Sequence, residues 1–201
     1  MDSNGPHASN ASRVSSARAS IVSLKRYARV LHRRVQQAEP EAMNILRRLR
    51  EFKQVSDAQL PAVVQRKHCL TASAVQLGFH SWTHACNVFE GRADDFGTLL
   101  YPSTCYGHTN IWSANYTEAD TIRREHGGYL LAYRRQFLIV EAPFIDSLGL
   151  DPADPDWEAI GRDWVHPFDA QARGRLYEKL VHNTLVRETL AAHVQRDERG
   201  C

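Results

Sequence analysis

Tyr129-Leu-Leu-Ala-Tyr-Arg-Arg-Gln-Phe-Leu-Ile-Val140 is the stretch on which the fold class turns. Aromatic and branched residues dominate it on both sides of Arg134-Arg135, as in two short strands over 129–133 and 136–140. The connection stays open on sequence grounds. Arg134-Arg135 lacks the Gly or Asn that a two-residue hairpin turn prefers for its positive φ angles, so either a wider turn joins two strands or the run is one long strand. The segments around it carry helical periodicity, and a short antiparallel sheet among helices makes the class α+β.

Working outward from this stretch, Thr117 is the expected cap of a helix that runs to about Glu125 and is closed by Gly127-Gly128. Downstream, Pro143 opens a one-turn helix ending at Gly149. Asp154-Pro-Asp-Trp-Glu158 then has a cap, a first-turn proline and acids at the positive helix end. Asp169 caps a long C-terminal helix whose apolar positions are Leu176, Leu180, Val181, Leu185, Leu190 and Val194.

The N-terminal half holds the strongest periodic signal. Val14, Ala17, Ile21, Leu24, Ala28, Leu31 and Val35 alternate steps of three and four, which draws one apolar stripe along a helix ending near Ala38. Pro40 suits the first turn of the next helix, whose Ala42, Ile45, Leu46, Leu49 and Phe52 face inward. Asp57 is the expected cap of a third helix that continues to about Leu77. Gly78 ends it in a left-handed conformation, and Ser81 caps a short helix to Glu90. Three parts follow: a disordered tail over 1–12, a basic helical module over 13–92 and an acidic α+β domain over 93–201, with the boundary at 91–96.

Charge follows the same division. The 201 residues sum to +2, but up to Ala93 there are 14 Lys and Arg against 6 Asp and Glu, and beyond it 11 against 17. A composition of 43% hydrophobic and 24% charged residues excludes collagen, rods and wholly disordered chains. The longest uncharged apolar runs, Leu130–Tyr133 and Phe137–Val140, are far short of the roughly 20 residues of a membrane-spanning helix. The N-terminus lacks the apolar core of a secretory signal. Cys69, Cys86, Cys105 and Cys201 show no close pairing and are expected to stay reduced in a cytoplasmic protein.

Ala74-Val-Gln-Leu-Gly78-Phe79-His-Ser81-Trp82 resembles the A-x-x-x-G-F-x-S-W corner of a short helical module of bacterial ankyrin-repeat and glyoxalase-like proteins, a likeness over about residues 20–90. Leu70 and Val75 depart from that pattern, which has a polar and a basic residue there. Gly127-Gly-Tyr-Leu-Leu-Ala-Tyr133, Leu148-Gly-Leu-Asp-Pro152 and Asp154-Pro-Asp-Trp157 are similar to segments of bacterial proteins with no assigned activity. Both likenesses imply a bacterial protein, and neither carries a catalytic residue to transfer.

Arg26, Arg29, Arg33, Arg34, Arg47, Arg48 and Arg50 are the candidate binding residues, suited to a phosphate backbone or an acidic protein surface. The Ser81–Glu90 helix holds the position of a recognition helix, yet it offers only Asn87 for base reading. Trp112, Tyr116, Tyr129 and Tyr133, with Cys105, are the candidate walls of a small-molecule pocket. Cys105 and His108 are the weak candidates for catalysis, a thiol with a base nearby in sequence. His80, His84, Cys105 and His108 lack the paired spacing of a zinc site, and Asp151, Asp154, Asp156 and Glu158 lack the glycine of a calcium loop. No metal or cofactor is expected. The reading is a non-catalytic interaction or regulatory protein, with nucleic-acid binding through the arginine-rich face of the first two helices as the alternative and a cysteine-dependent enzyme built on Cys105 and His108 as the third.

Overall fold

The structure, a computed structural model, describes the backbone of residues 7–197 and the side chains of residues 19–185. Helix α1 (His7–Gln36) takes in residues 7–12 of the expected tail, and residues 1–6 lie outside the described residues. So do the side chains of Val14, Ala17, Leu190 and Val194, and Cys201. Within α1, Leu24, Ala28, Leu31 and Val35 are fully buried, as their spacing demands. The helix stops as expected before Pro40, with Ala38 at φ +53°. That proline opens α2 (Pro40–Arg47), and a single 3₁₀ turn over Arg50–Phe52 follows.

The expected helix from Asp57 to Leu77 is broken in two, α3 (Leu60–Val63) and α4 (Arg66–Gln76). Val64 leaves helical geometry to bury its side chain. Gln65 then starts a new helix through a reciprocal box: its side chain accepts from the His68 backbone, and its own N–H donates to His68 Nδ1 at 3.0 Å. Asp57 does not cap α3, because its carboxylate receives the Arg47 guanidinium. Beyond α4, Gly78 takes φ +82°, Phe79 folds back into the core, and Ser81 Oγ accepts from His84 N to cap α5 (Trp82–Phe89).

The second half is built on an antiparallel sheet of three strands in the order β1-β3-β2: β1 (Ile111–Ser113), β2 (Tyr129–Tyr133) and β3 (Gln136–Val140). β2 and β3 form a hairpin with Tyr133 opposite Gln136, so the turn is the two residues Arg134-Arg135 after all. Tertiary hydrogen bonds take the place of glycine there. Arg134 sits at φ +53° because its N–H donates to Gly97 O at 2.7 Å and its carbonyl accepts from Phe96 N at 2.8 Å. Helix α6 (Tyr116–His126) is capped by Asn115, whose side chain accepts from Thr117 N and Glu118 N, and not by Thr117. The remaining helices are α7 (Ala142–Leu148), ended by Gly149 at φ +92°, α8 (Pro155–Ala159), capped by Asp154, and α9 (Ala170–Asp197), capped by Asp169.

The fold is α+β, with α6 on one sheet face and the main core on the other. Ala119, Leu130 and Ile139 pack on the α6 side. Leu131, Leu138 and Val140 look the other way, toward Phe144, Trp157, Trp164 and Tyr177. That main core continues across residue 92, since it also holds Leu24 of α1, Leu77, Phe79, Val88 and Phe89. A second cluster joins Ala28, Leu31 and Val35 of α1 to Leu46, Phe52 and Leu60. Among the described residues no helix is long and apolar enough to cross a membrane.

Candidate interaction face and groove

At about 100° per residue, α1 sorts its side chains into three arcs. Leu24, Ala28, Leu31 and Val35 face the core, Arg26, Arg29 and Arg33 lie on the opposite arc with Lys25 at one flank, and Ser23, Tyr27 and Val30 fall in the intermediate arc on the other side. Lys25, Arg26, Arg29 and Arg33 are all exposed, and among the described residues none of them forms an ion pair. Lys25 stands 6.0 Å over the Trp82 ring.

The other candidate arginines divide. Arg34 is half-buried and held by Glu39 at 2.5 Å and Glu41 at 3.1 Å; burial works against its charge, and the two carboxylates more than restore it. Arg47 donates to Phe52 O, Val55 O and the Asp57 carboxylate, fixing the chain after α2. These two are structural. Arg48 and Arg50 are exposed on the far end of the same half.

Beside the intermediate arc of α1 runs a groove of about 1090 Å3, closed on its other sides by α9 and by residues 149–154. Tyr27, Val30, Leu150, Val181 and Leu185 supply apolar wall, and Arg26, Asp151 and Glu178 line it with charge of both signs. Its border is fixed by an ion network. Asp156, only 7% exposed, accepts from Arg175 Nε at 3.0 Å and Nη2 at 2.5 Å, while Lys179 Nζ bridges Asp154 at 2.5 Å and Asp156 at 3.1 Å. The Arg175 hydrogen bonds hold the Asp156 carboxyl below the usual carboxylate range, outweighing burial, and Lys179 adds to the effect.

The candidate pocket residues separate across the sheet. Trp112 and Tyr133 meet with ring centres 5.9 Å apart, joined by Tyr101 at 5.2 and 5.4 Å. Tyr129, on the same sheet face, packs on Trp157, and its hydroxyl donates to Pro152 O. Tyr116 is on the α6 side, donating to Asp163 at 2.6 Å; burial and that carboxylate push its phenol well above the ordinary range. Cys105 is fully buried, with Sγ 4.0 Å from Phe144 O, and His108 Nε2 is 2.8 Å from Ser147 Oγ. Each of the two side chains thus has a contact on α7.

The His80 and His84 rings stack with centres 4.8 Å apart. His84 Nδ1 accepts from His80 N at 3.1 Å, which puts the proton on Nε2, the atom 2.7 Å from Asp95 O. Burial alone would raise the Asp95 carboxyl, but the Gly97 N–H and the His80 ring bring it below its ordinary value. Among the described residues no group of three or more His, Cys, Asp or Glu is placed to hold a metal ion. Helix α5 is committed to packing: Ala85, Val88 and Phe89 are buried and His84 is tied to Asp95, which leaves Thr83 exposed.

No protein-family model, curated protein or solved structure matches the chain. The groove and its network went unread in the sequence, although their signal was present: Arg175 and Lys179 are four apart on one face of α9, opposite in charge to Asp154 and Asp156.

Proposed function

We propose that this chain is a bacterial, cytoplasmic interaction protein without chemistry of its own, docking on an acidic partner through Lys25, Arg26, Arg29 and Arg33 of α1. One observation carries the reading: these four cations are exposed and have no ionic partner among the described residues. Arg50 extends the positive surface; Arg34 and Arg47 do not belong to it. The second reading, docking on a nucleic-acid backbone without base recognition, is favoured by the arginine content of the arc and by the commitment of α5 to the core.

Fluorescence anisotropy with a short duplex DNA and with a poly-glutamate peptide, each over a salt series, tests both. Binding to either at low salt supports the reading. Arg29→Ser with Arg33→Ser should flatten the log–log salt slope for DNA by about two if each arginine neutralises one phosphate. No binding to either probe at low salt refutes both.

A further inference from the structure

The outer face of α1 carries more than charge. Val22, Arg26, Arg29 and Arg33 are all exposed and follow one another at steps of four, three and four. Leu24, Ala28, Leu31 and Val35 repeat with the same steps on the opposite side, so α1 bears two straight seams, one filled by the core and one open. At 1.5 Å per residue the open seam is about 16 Å long. It ends where Gln36, the next position in the repeat, is tied to Pro61 O at 2.6 Å. Apolar surface is interspersed with the cations: Val22 is 60% exposed, and Val30, beside Arg26 and Arg33 on the groove side, is 38% exposed.

We infer that the acidic partner meets this seam with an α-helix, its carboxylates three and four residues apart opposite Arg26, Arg29 and Arg33 and an apolar side chain over Val22. The inference rests on the docking reading above and narrows it. Charge gives the chemistry of the occupant: three guanidinium groups in one line, with no ionic partner among the described residues, call for carboxylates in one line. A second copy of the same seam offers no acid and is repelled. The repeat gives the shape. Helices lying side by side meet at alternating steps of three and four residues because both share one rise and turn. Residues on one face of an extended chain recur at about 6.7 Å, and fall out of step with seam positions that rise by about 6, 4.5 and 6 Å. A phosphate backbone matches the charge but has no apolar side chain to set against Val22 and Val30. Arginine suits such a seam, since its stem packs along the neighbouring helix while its head reaches a carboxylate at the edge.

Anisotropy titration of the full chain with labelled, helix-stapled peptides of about 20 residues tests this. One peptide carries Glu at alternating three- and four-residue steps on a single face, with a Leu in the same row. The other has the same composition and staple, with its Glu residues spread around the helix. The ordered peptide should bind about tenfold more tightly or better at low salt, and Arg29→Ser should weaken it more than Lys25→Ser, since Lys25 lies at the flank of the seam. Val22→Ser should weaken the ordered peptide by about fivefold and leave poly-glutamate binding unchanged. All three positions are exposed, and far-UV circular dichroism checks that the variants keep their helices. Equal affinity for the two peptides overturns the helical partner, while binding of poly-glutamate keeps the docking reading standing. Tighter binding of the duplex DNA than of the ordered peptide also overturns it, as does a Val22→Ser variant that binds the ordered peptide like the unaltered protein. If neither peptide nor poly-glutamate binds, docking on an acidic protein fails and this inference falls with it.

Discussion

Replacing Asp156 by Asn removes the charge at the centre of the network that ties α8 to α9. The carboxylate is 7% exposed and receives Arg175 through both Nε and Nη2 and Lys179 through Nζ. Charge-assisted hydrogen bonds contribute about 1.5–3 kcal/mol each, and removing one partner of a fully buried pair costs more. Here the cations are half-exposed, at 51% and 45% of their side chains, so water takes them back when the carboxylate is gone. The expected loss is therefore near the value of one such bond, about 2 kcal/mol, or about 4–8 °C in Tm for a chain of this size. The pH dependence has a definite sign. A carboxyl held below its unfolded value stabilises the fold above that value, about pH 4, and ceases to do so as pH falls through the folded one. Thermal unfolding of the two proteins at neutral pH and at about pH 2 should show a gap that closes in acid. Equal Tm values at neutral pH, or a gap that persists in acid, would refute the reasoning.

Gly78→Ala should cost about 2 kcal/mol or more in urea denaturation, since φ is +82° and a Cβ there overlaps Thr98 Oγ1 and comes within 3.2 Å of Leu99 N; a loss under about 0.5 kcal/mol contradicts this. Burial pushes the Cys69 thiol up to about 11, so alkylation at pH 8 followed by mass spectrometry should find it on the order of a hundredfold slower than a free thiol. Half-buried Cys86 should react first of the two, and equal rates would count against the packing around Cys69.

The elements that were legible in the sequence are those whose signal is local. Gly78, Ser81, Asp154 and Asp169 each end or start a helix with their own atoms, and the α1 stripe buries as its spacing dictates. The features that escaped depend on distant partners. β1 is three residues long, too short for alternation to show, and exists because Ile111, Trp112 and Ser113 find β3. The Arg134-Arg135 turn looks wrong until Phe96 and Gly97 arrive to bond Arg134 on both sides. Asp57 reads as a cap until Arg47 takes its carboxylate. At the candidate site, Arg34 and Arg47 look like Arg29 and Arg33 in a list of basic residues. They differ because the turn after α1 brings Glu39 and Glu41 back to Arg34, and the turn after α2 brings Asp57 back to Arg47.

Those returns also decide what the charge asymmetry does. Arg123, Arg124, Arg162, Arg175 and Lys179 of the acidic half are each paired with carboxylates of that same half. Near the junction, His80 and His84 meet Asp95. Among the described residues no arginine of α1 or α2 reaches a carboxylate beyond residue 92. The two halves are joined by apolar packing, with Leu24, Phe79 and Phe89 in one core with Trp164, Leu176 and Tyr177. Folding therefore does not require the positive excess on the outer arc of α1. Solvated like-charged neighbours destabilise one another slightly, by a few tenths of a kcal/mol per pair at i,i+4, so Lys25, Arg29 and Arg33 stand four apart at a small cost to the helix. Substituting them by Ser should leave Tm nearly unchanged while removing polyanion binding, whereas Asp156→Asn should lower Tm and leave that binding intact. The opposite pairing of outcomes would mean that the arc serves the fold.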